Sequence, residues 1–583
     1  MNRIKEIGEI VSVSGNTGLI HVYPFYDGFE TRLGEIGSLL KVRSSNAFSI
    51  GIVSDVRTHS ILGSDNEILE KEKIRFGSQE ITIILIGEII DNAFNRGVSK
   101  YPIIGDKVFL MEDSDYKTIY KSDDGSICLG KISGIDLEAS IDLNRFITRH
   151  SLVVGSTGSG KSNAVAILLS EITKKNYQNG RIIVIDPHGE YNEVLSDCSK
   201  VFKCYAQEKE CELCIPFWAL SLDDLLSIVD APLSGPNRDY LSYCITQEKI
   251  KSAIVNNIPI DQELITADTP IPFNIKKLWF DLDDYERQTF FERGNPNSLT
   301  NLVQIGDPDT LKSNIYQPAA AGGGSPFLNN QAHGLLPFLN ALRLKLLDSS
   351  YNFLFNNSYT PSLDGKCNKE LEELLFEWLS TSKNIKIFDL SEIPSEIIPT
   401  ICGSLLRLIY DALFWGQNLS IGGKETPALM VLEEAHIYLK NAEDTIASKT
   451  VQKIAKEGRK YGVGLCLVTQ RPSELDETVL SQCGTIVSLR LNNSKDKSRV
   501  AGAIQDELSI LVDMLPMLRT GEAIISGEAV KIPSRIQISK MQSARKGADP
   551  LVSDKWLKVP SQKIEDYKEL TYKWRSKSLR RKK

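Results

Sequence analysis

Gly155-Ser156-Thr157-Gly158-Ser159-Gly160-Lys161-Ser162 matches the pattern G-x-x-x-x-G-K-[ST] at every fixed position. Its flanks agree: Ser151–Val154 reads as a short apolar strand, and Lys161–Lys174 as a helix. Glycine permits backbone angles that other residues resist, so the N–H groups of Gly155, Thr157, Gly158, Ser159 and Gly160 are able to wrap a phosphate. The start of the helix adds partial positive charge. Lys161 is placed to reach the β- and γ-phosphates of ATP and Ser162 to ligate Mg2+, with Asn163 next in the first turn.

Downstream, Arg181–Ile185 reads as a second buried strand running into Asp186-Pro187-His188-Gly189-Glu190-Tyr191. Strand, helix and strand in this order form a βαβ unit and predict a parallel sheet. Ile385–Leu390, Ala428–Leu432, Val463–Thr469 and Thr485–Leu491 supply further strands, and Ile398–Phe414 a helix. Glu522–Ser526 and Ala529–Ile532 flank a Gly-Glu turn and read as a hairpin. The Ala428–Leu432 strand ends in Glu433-Glu434. The first acid would hold Mg2+, directly or through water, and the second would orient or deprotonate an attacking water. Gln470, in Thr469-Gln470-Arg471-Pro472, sits at a strand's carboxyl end, where open α/β sheets place ligands. There it would sense the γ-phosphate or the water, or simply close a turn.

Toward the N-terminus the texture differs. Glu6–Val13, Thr17–Val22, Leu39–Val42, Phe48–Val56, Glu80–Ile90 and Lys107–Met111 are Val- and Ile-rich stretches separated by turn residues, as in a small barrel or sandwich. Between the sheet strands, Leu222, Leu225, Leu226 and Val229 mark one helix and Leu335–Leu347 another, while Gln317–Pro326 reads as a loop. The expected organisation is an N-terminal β-barrel at 1–140, a RecA-like, mainly parallel α/β P-loop core at 141–205 and 380–540, a helical insertion at 206–379 and a basic extension at 541–583.

The 583 residues are 42% hydrophobic and 25% charged, an ordinary globular composition. No continuous apolar run approaches the ~18–20 residues that span a bilayer. The N-terminus lacks the apolar core of a signal peptide. Ten cysteines without regular spacing read as reduced thiols, which points to the cytoplasm. Cys198, Cys204, Cys211 and Cys214 include a C-x-x-C, but their irregular spacing among Leu213, Ile215, Phe217 and Trp218 reads as core rather than zinc site. The net charge of −7 argues at first against nucleic acid, yet it is unevenly placed. Residues 541–583 hold 13 Lys/Arg against 5 Asp/Glu, a local +8 on a body of −15. Such a tail suits an acidic partner or is a solvated, frayed end.

Several motifs together resemble a known family. Arg149-His150, the P-loop, Asp186-Pro187-His188-Gly189-Glu190-Tyr191, Glu433-Glu434-Ala435-His436, Glu457-Gly458-Arg459-Lys460-Tyr461-Gly462 and Thr469-Gln470-Arg471-Pro472 are similar to those of HerA, a hexameric DNA-translocating ATPase of the FtsK–HerA superfamily. The resemblance, to a bacterial member, covers nearly the whole chain and implies a homo-hexamer that moves double-stranded DNA. It makes Glu434 the catalytic glutamate, Gln470 a sensor and Lys161 the phosphate-neutralising lysine. It makes Arg459 a finger reaching the neighbouring subunit's γ-phosphate, and Arg149 a contact to nucleotide within its own subunit. Asp186 and Glu190 would touch Mg2+, the attacking water or the neighbour; His188 and His436 read as structural hydrogen-bonders. Lys449, Lys453 and Lys456 would line a DNA channel or form a solvated helix face. The chain shows no nuclease constellation. The resemblance therefore implies a separate effector, either a NurA-like nuclease or a sirtuin-like defence subunit, with no membrane partner. The alternative is an ATP-dependent ring scaffold that activates an effector without processive translocation.

Overall fold

The computed structural model describes residues 6–23, 35–44, 47–60, 77–175, 177–206, 210–380, 382–440, 445–503, 509–541, 552, 556–557 and 563–576. The chain forms two compact units. One contains Met1–Tyr177, Glu434–His436 and Gly464–Ser543; the other contains Gln178–Glu433, Ile437–Val463 and Ala544–Lys583. The fold is an α/β P-loop core with an N-terminal barrel and inserted helices.

In the first unit, β1 (Glu6–Ser14), β2 (Thr17–Val22), β3 (Leu39–Ser44), β4 (Ala47–Ser60), β5 (Gly77–Ile90), β6 (Ala93–Arg96) and β7 (Lys107–Leu110) pair in the order β2-β1-β7-β3-β4-β5-β6. A further antiparallel pairing of β2 with β5 closes six of them into a barrel and leaves β6 on the outside of β5. The alternating apolar residues meet inside, with Ile10, Ile20, Val42, Val53, Ile81, Ile83 and Val108 essentially inaccessible. Closure removes the exposed sheet edges that a flat array of these strands would present. Lys41 is also buried; its ammonium lies 2.6 Å from Asp115 and over the Phe48 ring, fastening the helix Asp113–Ile119 to the barrel.

The next strands belong to the core, although they lie within the 1–140 segment. β8 (Ser126–Ile132) and β9 (Glu138–Asp142) pair with each other, and β8 pairs with a C-terminal strand. β10 (Ser151–Val154) precedes the glycines, and β11 (Arg181–Asp186), β12 (Ser199–Lys203) and β13 (Cys211–Glu212) follow. The inserted region adds the short β14 (Thr289–Phe290), β15 (Leu302–Gln304), β16 (Ile315–Tyr316) and β17 (Phe327–Leu328), which form two small ribbons. Then come β18 (Ile385–Asp389), β19 (Ala428–Leu432), β20 (Val463–Thr469), β21 (Thr485–Ser488), β22 (Glu522–Gly527) and β23 (Ser534–Ile538). In the first unit the order is β20-β10-β21-β22-β23-β8-β9, parallel across β20, β10 and β21 and antiparallel beyond. The expected strand at Ala529–Ile532 is instead irregular chain. Pairing resumes at Ser534, because the Gly527–Pro533 connection is too long for a tight hairpin.

In the second unit β13-β12-β18-β11-β19 are all parallel. Every residue of β11, β18 and β19 is buried, as in strands covered on both faces, including Arg181, Asp186, Lys386 and Asp389 among the apolar residues. The helix Ile398–Trp415 is long and apolar enough by composition to cross a membrane, although polar residues interrupt its apolar ones. Here it is a core helix. Ile401, Cys402, Leu405, Leu406 and Ile409 are inaccessible, and Gly403 lets the backbone of Ala447, on the helix Ile446–Glu457, approach where a methyl group would clash. The insertion is built on the helices Leu222–Val229, Pro236–Val255, Ile275–Arg287, Leu336–Leu347 and Leu371–Leu379.

Candidate functional site

β10 lies between two parallel neighbours, with Val154 opposite Thr469 on one side and Ser488 on the other. The chain then turns through the glycines. Gly155 N–H donates to the Thr469 carbonyl at 3.3 Å, and the Ser156 N–H and hydroxyl both donate to the Arg490 carbonyl, at 2.8 and 2.9 Å. Gly160, with φ of 109°, is the residue from which the helix Lys161–Lys174 starts, a conformation in which a Cβ is strained. Lys161 is only 7% exposed and forms no ion pair among the described residues. A buried ammonium without a carboxylate, at a helix N-terminus, is an environment that favours an anion. The buried Ser159 hydroxyl likewise has no hydrogen-bond partner among the described residues. Asn163 is used differently from the expectation that it binds nucleotide. Its amide donates to the Ser539 carbonyl at 2.6 Å and accepts from the Met541 N–H at 3.1 Å, tying the chain after β23 to the helix.

Two expected site residues join the P-loop in this unit. Gln470 accepts a 2.7 Å hydrogen bond through Oε1 from the Thr157 hydroxyl, so the residue after β20 touches the loop directly. Glu434 is 8% exposed and holds φ at 46°, the left-handed region that non-glycine residues seldom adopt outside constrained sites. His436 Nδ1 stands 3.2 Å from Glu434 Oε2 and 3.2 Å from the Thr469 hydroxyl oxygen.

Arg149 corrects an expectation. It lies before the amino end of β10, whereas the P-loop leaves the carboxyl end; at roughly 3.3 Å per residue the intervening strand separates them by about 15–20 Å, beyond the reach of the side chain. The Arg149 guanidinium instead sits 3.3 Å from Glu528, and its carbonyl accepts from Gly484. The contact to nucleotide within its own subunit, implied by the resemblance, does not fit this strand geometry.

In the second unit the acids are arranged among themselves. Asp186, fully buried at the end of β11, accepts from the N–H groups of His188 (3.1 Å), Gly189 (2.8 Å) and Tyr191 (3.2 Å). Burial pushes its carboxyl up to about 7, opposed by these hydrogen bonds and assisted by neighbouring Asp389. Asp186 is thus the anchor of its own loop rather than an outward ligand. Glu433, 1% exposed, accepts from the Tyr191 hydroxyl at 2.9 Å, and its carbonyl accepts from Tyr438. Tyr191 was visible in the sequence only as part of a motif; nothing local indicates that it would hold Glu433.

Arg459 is exposed on the helical turn Gly458–Tyr461 and has no ion pair among the described residues; Tyr461 packs edge-on against Phe414, ring centroids 4.9 Å apart. Lys449, Lys453 and Lys456 share the exposed face of the helix Ile446–Glu457, with Lys453 lying over the Tyr410 and Phe414 rings. Among the described residues no group of three or more His, Cys, Asp or Glu could hold a metal ion. Of the basic extension, Ile564–Ser576 is helical, and residues 577–583 lie outside the described residues.

Two family models match the chain: the central domain of helicase HerA over residues 127–409, and the helicase HerA-like C-terminal domain over 393–565. The DNA double-strand break repair helicase HerA of Sulfolobus acidocaldarius is 27% identical over 527 residues, covering 88% of this chain and 90% of that protein. Its namesake from Pyrococcus furiosus is 26% identical over 495 residues, covering 82% of each. The solved structure of VirB4 of Thermoanaerobacter pseudethanolicus aligns with 74% of this chain and 98% of that chain, at 15% identity and a TM-score of 0.45.

Proposed function

Because this chain belongs to the HerA family of helicases, we propose that it is an ATP-hydrolysing motor that assembles as a ring and translocates double-stranded DNA in concert with a separately encoded effector. The observation that carries this reading is the grouping of the P-loop, Glu434 and Gln470 in one unit, with the P-loop leaving the carboxyl end of β10 and Gln470 leaving that of β20.

The residues present suit a nucleoside triphosphate with Mg2+. The glycine turn, the helix N-terminus and the Lys161 cation, which has no ion pair among the described residues, form a site for phosphates, and Ser162 would ligate the metal. Mg2+, when bound, supplies charge neutralisation at the phosphates. Lys161 neutralises the β- and γ-oxygens as charge moves outward, and Glu434 orients the attacking water and accepts its proton. Gln470, already bonded to Thr157, registers the γ-phosphate at the loop's other side. Arg459 is exposed, has no ion pair among the described residues and would reach a neighbouring subunit, which would make hydrolysis depend on that neighbour's position.

A net charge of −7 does not oppose DNA binding, since phosphate contacts need only local basic groups such as Lys449, Lys453 and Lys456. The test is ATP turnover with and without double-stranded DNA. DNA-stimulated turnover that disappears in Glu434→Gln, from particles with sixfold symmetry, is the expected result. Turnover indifferent to DNA but altered by an added nuclease or sirtuin-like subunit favours the scaffold reading. Stimulation that survives charge reversal of all three lysines removes them from the DNA path.

A further inference from the structure

Glu434 does not hold its position by backbone preference. Its φ of 46° is disfavoured for a residue with a Cβ, so surrounding contacts must maintain it. One such contact is unusual in its geometry. His436 Nδ1 is hydrogen-bonded to the Thr469 hydroxyl at 3.2 Å, and it stands at ion-pair distance, 3.2 Å, from Glu434 Oε2 without hydrogen-bond geometry to it. A protonated Nδ1 can donate to either partner, whereas a bare Nδ1 can only accept, and only from the hydroxyl. To bind the carboxylate, Nδ1 must carry a proton and donate it. To accept from the Thr469 hydroxyl, Nδ1 must be bare, and its lone pair then repels the carboxylate.

Thr469 is equally well connected on its other sides. Its hydroxyl accepts from the Arg471 N–H at 3.0 Å, and its carbonyl accepts from Gly155 at the start of the P-loop. The next residue is Gln470, which is bonded to Thr157. The end of β20 therefore touches the phosphate loop, the sensor and the histidine within three consecutive residues.

We propose that His436 is a positioning residue for Glu434, and that Thr469 links this histidine to the Gln470–P-loop contact so that the glutamate's position follows the state of the phosphate loop. The inference rests on Glu434 being the catalytic glutamate. With Nδ1 protonated the carboxylate is held toward the site. When Thr469 turns its hydroxyl hydrogen onto a bare Nδ1, the carboxylate is released. The ring stays neutral through the change: the Nδ1–H bond breaks with its proton passing to solvent, and an Nε2–H bond forms with a proton taken from solvent.

The test uses the full chain with its nucleotide. His436→Ala is expected to lower the maximal turnover by about tenfold or more, the effect of one lost hydrogen bond to a charged group, while the Kd for a fluorescent ATP analogue stays within about twofold. His436→Asn, whose amide N–H still donates, recovers a substantial part of the loss. Thr469→Val changes turnover in wild type but adds nothing in the His436→Ala background, whereas Thr469→Ser behaves as wild type. Unchanged turnover in His436→Ala overturns the proposal. So does a loss matched by weaker nucleotide binding and a lower Tm that His436→Asn does not recover. Glu434→Gln with full turnover refutes the catalytic glutamate itself, a failure distinguishable from that of the histidine.

Discussion

The strand ends of β10 and β11 follow the same α/β grammar yet solve opposite electrostatic problems. After β10 there is a surplus of donors: a glycine turn, a helix N-terminus and a buried lysine with no ion pair among the described residues. After β11 there is a surplus of acid, and it is satisfied internally. Asp186 accepts from three N–H groups of its own loop, and Asp389 on the adjacent strand takes hydrogen bonds from Asn192 and the Ser391 N–H and an ion pair with Lys203. Glu433, after β19, is held by a tyrosine from the loop after β11. The first arrangement is completed by an anion from outside. The second is complete as folded and holds carboxylates in fixed places.

Substitutions that treat the two regions alike should therefore separate them. The largest effect belongs to Lys161→Ala, expected to lower ATP turnover by about 10²–10⁴-fold with little cost in Tm, because the ammonium serves the ligand rather than the fold. Glu434→Gln should follow, with turnover down about 10²–10³-fold and nucleotide still bound, read by equilibrium titration. Asp186→Ala reverses the pattern. Removing the acceptor of three main-chain donors should cost roughly 2–4 kcal/mol in denaturant unfolding before any change in nucleotide affinity is seen. An Asp186→Ala protein as stable as wild type would break the comparison.

Two smaller effects sharpen it. Tyr191→Phe keeps the ring and removes the hydroxyl from Glu433, at an expected cost of about 1 kcal/mol in denaturant unfolding. The pH dependence of stability gives the gentlest probe. The Asp186 carboxyl is raised in the folded state to about 7 from an unfolded value near about 4, so the native protein binds the proton more tightly. Its stabilising contribution is complete below pH ~4 and is lost as pH rises through about 7. Tm followed across this range should decline by less in Asp186→Asn than in wild type.

Much of the core was legible because its signals are local. The P-loop is eight contiguous residues whose glycines and flanking apolar runs report their own geometry, and the apolar runs Ile182–Ile185 in β11 and Ala428–Leu432 in β19 announce burial on both faces. The short antiparallel strands of the barrel were also legible, whereas β8 and β9 were not read as strands; β8 pairs with β23 and β9 with β8. The strand after Gly527 was misplaced because turn residues mark where a chain bends, not how many residues pass before pairing resumes. The side chain of Asn163, next to the motif, bonds a chain segment more than 370 residues away, which no local signal shows.

By itself, then, the sequence determined the nucleotide loop, the parallel core and the two acids after β19, since each depends on contiguous residues and periodicity. The tertiary structure alone decided three things. Arg149 stands at the far end of its strand from the P-loop; Tyr191 reaches Glu433 across 242 positions of sequence; and His436 stands between Glu434 and Thr469. The physical reason is common to all three. A hydrogen bond or an end-to-end separation is fixed by which strands lie side by side and in which direction they run, and neither is written in any one segment.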